Sequence, residues 1–371
     1  LAILIPYALI LDEAPVRQRL QALAPYAAVA ACWRAIYALN DFASAKSGMY
    51  ADPLGEPARF ARHVLEQFPI YLGSTLLAVP ADPFLFFGPT KYWIGWTVSL
   101  VSALVLLFCL RDFLRRDKFA RFFLLVTLLG AGPACAAFIN DRLLMVAQIG
   151  GCGLAARFLA TAFEERADAW RRPLVRVLVL CHLAVPVVLL PIRTMTMDWV
   201  FGRHQRAMFA VLDAMTDAHG RIVVLVNTPE MITALTPSLA LQRRRLDAEG
   251  VIMLGATSER LVVTRPDAST LSLSPDDGYL SDRMSVFVRS TDDPFRVGDA
   301  VPVLGTTIEV AEITEDARPA RVLFRGASAL DGGEYLFLVW EDGNLRRFTV
   351  PSVGDERVLP ATDLAEFAFG I

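Results

Sequence analysis

The sequence predicts an α-helical polytopic membrane domain followed by a soluble α+β, strand-rich domain, and three observations predict it. Hydrophobic residues make up 54% of the 371, and the mean hydropathy of +0.43 is well above that of a water-soluble chain of this length. The excess is confined to residues 1–193, where apolar runs of about 16 to 21 residues recur, close to what a helix needs to cross roughly 30 Å of hydrocarbon. From residue 194 the runs become short and β-like, separated by turns such as DDG, EDG and DGG. The expected domains are 1–193, with about five full spans, one partial span and one interfacial or re-entrant segment, and 194–371, an extracytoplasmic α+β domain.

Residues 1–11 (LAILIPYALIL) are apolar, too short to span and without the basic flank of a signal peptide. They read as the end of a helix, with the natural N-terminus expected upstream. A polar loop at 12–19 leads to a span at 20–40 that carries Arg34. Residues 41–57 (DFASAKSGMYADPLGEP) are rich in Gly, Pro and small residues, the composition of a loop. Residues 58–79 begin amphipathic (ARFARHVLEQF), turn apolar and are broken by VPADPF. Further spans are expected at 92–110, 122–140, 143–163 and 177–192.

Charge sets the orientation. The loops at 12–19, 111–121 and 164–176 hold 2, 5 and 4 Lys/Arg, against one in the tight 140–142 turn, so those three loops are expected in the cytoplasm of a plasma-membrane protein. An odd number of crossings must then link the outer loop near Tyr50 to Arg111, and 92–110 supplies one. Residues 58–88 are therefore expected to lie in the interface or re-enter, with Arg59, Arg62 and Glu66 in water and Pro80 and Pro83 ending the segment. The same parity puts everything after Arg193 outside. There, residues 198–218 read as a helix, 221–226 (RIVVLV) as a buried strand and 229–241 as a second helix. Strands are expected near 251–254, 261–264, 285–288, 306–313, 320–324, 335–340 and 345–350, giving an αβ unit followed by an antiparallel sheet or sandwich.

Few residues carry a chemical signal. All five cysteines fall in or beside apolar segments, at spacings that suit neither a metal nor a redox pair. A net charge of −3 argues against a nucleic-acid partner. Arg34 lies inside a span near its outer end, where it either holds the phosphate of a lipid-linked substrate or pairs and snorkels. The 140–142 turn places Asp141 and Arg142 at the outer interface, beside wherever Asp41, Asp52 and Glu56 fold back. That cluster either binds a sugar phosphate or marks the membrane boundary. His63 and His182 each lack the HxxxH or HxH spacing of a metal site. Asn227, Thr228 and Glu230 follow a strand at the position where open α/β sheets bind ligands, but no glycine loop accompanies them and Thr228 reads as an N-cap. Arg243, Arg244 and Arg245 read as a solvated helix face.

The segment 141–159 (DRLLMVAQIGGCGLAARFL) resembles a motif of GT-C-type membrane glycosyltransferases, notably the transmembrane tetratricopeptide-repeat O-mannosyltransferases. In these a short acidic-Arg turn, then Leu, a small-residue stretch and Gly, opens a membrane helix. The upstream order is also similar: a helix ending LILDE, a helix PYAAVAACWRAIY with its Arg, a GMYADP outer loop and an amphipathic segment. The likeness covers residues 1–163. Met145 and Ala147, or their neighbours, replace the family's aromatic and Pro, and the family's acidic motif of the first outer loop would lie upstream of Leu1. The strand-rich domain replaces tetratricopeptide repeats, a two-part layout also similar to a group of bacterial membrane proteins. The resemblance implies transfer of a sugar from a polyprenyl phosphate donor on the outer face, metal-assisted or metal-independent. Arg34 and Arg142 would hold the donor phosphate, with membrane lipid and a lipid-linked sugar as partners. No cofactor is identified, and a divalent metal stays open. The alternative is a non-enzymatic, membrane-anchored envelope protein whose outer β domain binds a partner or polymer.

Overall fold

The computed structural model describes residues 1–40, 47–85, 87–164, 172–197, 202–281, 288–290 and 293–362. Asp41 and most of the strand expected at 285–288 lie outside them. The chain divides into two compact units, one built on Leu1–Pro191, the other on Ile192–Val286 with Ser290–Ile371.

The first unit is helical: α1 (Leu4–Pro6, continuing as a π turn Tyr7–Leu11), α2 (Val16–Leu39), α3 (Pro57–Leu77), α4 (Pro89–Arg116), α5 (Lys118–Ala134), α6 (Met145–Glu164), α7 (Arg172–Val179) and α8 (Val185–Met197). Among the described residues, four helical stretches are long and apolar enough to cross a membrane: α2, α4, Asp141–Glu164 and Arg172–Met195. The fifth expected span, at 122–140, overlaps a shorter helix. Its helix, α5, starts earlier because the Asp117 carboxylate caps it by accepting from Ala120 N at 2.9 Å. It ends at Ala134, just after Pro133. At 17 residues it is about 26 Å long.

The second half of α3, from Gln67 to Leu76, is buried apart from Phe68. The first half of the helix keeps exposed positions, Arg62 among them, whereas this stretch is enclosed on every side. What encloses it is close packing at small residues. An added Cβ at Gly150 would lie 2.5 Å from Thr127 N, and one at Gly130 would lie 2.7 Å from Ala147 N. At Gly151 it would overlap the carbonyl oxygen of Thr75. The backbones of α3, α5 and α6 therefore approach at van der Waals distance, which the IGGCG run in α6 permits.

The second unit has three layers. Strands β1 (Ile222–Leu225), β2 (Gly250–Met253), β8 (Tyr335–Glu341) and β9 (Asn344–Arg347) form a sheet of order β2-β1-β8-β9. Strands β3 (Leu261–Thr264), β4 (Thr270–Pro275), β5 (Ala300–Val303), β6 (Thr306–Ile313), β7 (Pro319–Arg325) and β10 (Glu356–Leu359) form an antiparallel sheet of order β10-β3-β4-β7-β6-β5. Alternation along β1 explains the stacking. Val223 and Leu225 pack with Met208, Phe209 and Leu212 of α9 (Arg203–Asp213), whereas Ile222 and Val224 face Leu261, Val263, Leu271 and Phe324 of the other sheet. A central strand covered on both faces is apolar throughout, as RIVVLV is.

The expected antiparallel arrangement is corrected in part: β1 pairs parallel with both β2 and β8. The helix expected at 229–241 is two short ones, α10 (Met231–Ala234) and α11 (Thr236–Gln242). Strands β4, β5 and β10 were not expected. β4 escaped because its TLSLSP sequence is half hydroxyl-bearing, although most of it is buried.

Replacing Gly151 by Leu is expected to destabilise the helical unit by about 3 kcal/mol or more, since the added atoms meet backbone rather than a flexible side chain. Gly132→Ala, where a Cβ meets nothing within 4 Å, should leave stability unchanged or slightly raised. Thermal unfolding of both variants in detergent checks the contrast.

Candidate functional site

The polar residues singled out in the first unit converge through backbone pairing that the sequence did not announce. Tyr50 forms an antiparallel bridge with Ala137. Ala51 N donates to Ala136 O at 2.7 Å, and Phe138 N donates to Met49 O at 3.1 Å. This strap fixes the loop that carries Asp52 beside the turn that carries Asp141 and Arg142.

Asp52 and Arg34 form an ion pair, and the guanidinium also lies 5.6 Å from the Tyr37 ring centre. The Asp52 carboxylate accepts from Leu54 N at 3.0 Å. That backbone donor first, then Arg34, holds its pKa below the usual carboxylate range despite some desolvation. Burial, then the Asp52 charge, raises the pKa of Tyr50. Asp141 accepts from Ser74 Oγ at 3.0 Å and Ala81 N at 2.9 Å, and its own N–H donates to Asp82 at 2.7 Å. Tyr71 extends the link, its hydroxyl donating to Phe138 O and accepting from Asn140 N, both at 3.3 Å. Asp141 therefore fastens the end of α3, the connection after it and the start of the Asp141–Leu144 turn.

Arg142 differs from its neighbours. Its backbone N–H donates to Asn140 Oδ1 at 2.8 Å, but its side chain is exposed and pairs with no carboxylate among the described residues. Of the candidates described, Arg34 and Asp52 neutralise each other, Asp141 serves the fold, and Arg142 presents an uncommitted charge. Among the described residues no group of three or more His, Cys, Asp or Glu is placed to hold a metal. Tyr71, Ser74, Ala81 and Asp82 were missed from sequence because they meet the turn from 59 to 69 positions away. No spacing motif spans such a separation.

In the second unit the Asn227 amide clamps Thr257, donating to its carbonyl at 2.9 Å and accepting from its N–H at 3.0 Å. The cap expected of Thr228 belongs to Glu230, whose carboxylate accepts from Thr233 N at 2.6 Å. Thr228 instead donates to Glu230 O at 3.1 Å. These residues staple the ends of β1 and β2. Compared with protein-family models, curated proteins and solved structures, the chain matches none.

Asp141→Ala should lower stability by about 2 to 4 kcal/mol, because two donors lose an anionic acceptor, and Asp141→Asn should restore a large part of it. The Arg34–Asp52 pair has the opposite profile, small and pH-dependent. Its folded-state carboxyl pKa is depressed, so its contribution, below about 1 kcal/mol for an accessible pair, is present above pH about 4. It is lost as pH falls through the lowered value. Acid unfolding of Asp52→Asn beside the unmodified chain measures it.

Proposed function

We propose that the chain is an integral membrane protein whose helical unit binds a polyprenyl-phosphate sugar at the polar strap and transfers the sugar there. The membrane part of the reading is supported by apolar side chains that water would penalise. Val98, Leu104, Val105 and Phe108 on α4, and Val187, Val188 and Leu190 on α8, are all exposed, at about 25 cal/mol for each Å² kept in water. Its orientation is supported by Glu13–Lys118 at 3.1 Å and Asp117–Arg157 at 2.8 Å. The first joins the basic loops at 12–19 and 111–121 and the second ties the latter to α6, in accord with a cytoplasmic assignment. α5, with residues 135–140 completing its passage, makes the remaining crossing, and the strand-rich unit then lies outside the cell.

The single observation that carries the binding part is the exposed, unpaired Arg142 beside the strap. A phosphate monoanion or diester is best met by a guanidinium, and Arg34 becomes a second one when phosphate displaces Asp52. A second reading, a non-enzymatic envelope protein anchored by this unit, is favoured by the commitment of Asp52 and Asp141 to protein partners.

With full-length protein in nanodiscs, a polyprenyl-phosphate sugar should bind, and Arg142→Ala and Arg34→Ala should each weaken it about tenfold, the loss of one charge-assisted contact. Absence of binding, or binding untouched by both substitutions, would favour the anchored envelope protein instead.

A further inference from the structure

At the opposite pole from the strap, the elbow between α4 and α5 concentrates cations that the fold does not neutralise. Residues 111–121 hold five Lys/Arg and two Asp. Asp117 is spent on the α5 cap and on Arg157, and burial notwithstanding, the Ala120 N–H and Arg157 keep its pKa low. Asp112 is shared by Arg111 and Arg115 at 3.7 and 3.8 Å, distances of weak attraction. Arg116 and Arg121 are exposed and pair with no carboxylate among the described residues.

Aromatic rings flank these charges. The Arg111 guanidinium lies 4.4 Å from the Phe108 ring centre, and Lys118 and Arg157 lie 6.0 and 5.9 Å from that of Phe119. Both rings are exposed. A ring that continues an apolar helix surface, with a cation against it, meets acyl chain and headgroup together.

We propose that this elbow is a binding surface for the phosphate headgroups of anionic phospholipids. Arg115, Arg116 and Arg121 supply the charge, and Phe108 and Phe119 the contact with the upper acyl chains. Charge complementarity selects the occupant: uncompensated cations at the rim of an apolar helix bundle attract anionic headgroups, whereas neutral ones gain nothing from them. The inference rests on the membrane reading above and adds to it a lipid preference that the reading does not require.

The test reconstitutes the full chain into vesicles of phosphatidylcholine, or of an equal mixture of phosphatidylcholine and phosphatidylglycerol, and measures lipid retained after gentle detergent extraction. Phosphatidylglycerol should be retained over phosphatidylcholine. The combined Arg115→Gln, Arg116→Gln and Arg121→Gln variant should lose about tenfold of that preference, while Arg243→Gln with Arg244→Gln in the second unit keeps it. If the triple variant does not fold, salt replaces it: the unmodified chain should lose its preference near 1 M, where the screening length falls to about 3 Å. Insertion with equal retention of both lipids, or a preference unmoved by substitution or salt, overturns this proposal alone. Failure to insert into phosphatidylcholine vesicles overturns the membrane reading with it.

Discussion

Backbone contact between α3, α5 and α6 is the constraint on which the helical unit depends. Gly130, Gly150 and Gly151 remove the side chains that would hold these helices apart, and in lipid, where burying apolar surface gains little, close van der Waals approach is what drives helices together. That approach brings Ser74 within reach of Asp141. Once Asp141 is fixed, the strand-like pairing of Tyr50 with Ala137 draws in the Asp52 loop, and Arg34 follows through its ion pair. The polar site is thus a consequence of helix packing several residues away from it.

The charges of this unit fall into two kinds, and the distinction matters more than their number. Asp52, Asp117 and Asp141 each accept from at least one backbone N–H, so they are parts of loops and caps, and their substitution is felt as instability. Arg142 at one pole, and Arg116 and Arg121 at the other, are exposed without ion partners among the described residues. Their replacement breaks no ion pair among the described residues, and they are the ones open to an external phosphate. The proposed donor site and the proposed lipid surface both rest on that second kind.

What the sequence made legible was whatever depends on local composition. Strands β3 and β6 have the expected boundaries, and β8 differs by one residue, because apolar β-branched and aromatic runs bounded by turns encode them directly. The apolar stretches of α2 and α4 were equally plain. Features set by distant partners were not. β8 joins β1 in parallel across more than a hundred residues, and the short β5 and β10 are strands only because β6 and β3 pair with them. Tyr71 and Ser74 fall in the apolar part of the 58–79 segment, and only folding shows that they hold the Asp141 turn. Asp52 and Asp141 read as site candidates because a charge near hydrocarbon is costly, an argument that marks a residue as needing a partner without saying whether that partner is a ligand or the protein.

In the proposed topology the helical unit crosses the membrane, Asp112 faces the cytoplasm and Val353 lies outside the cell. Single cysteines at Asp112 and Val353, in a chain whose five native cysteines are replaced, can be probed on intact cells with an impermeant thiol reagent. Labelling is expected at position 353 before permeabilisation and at position 112 only after it. Equal labelling of both positions from the same side would contradict it.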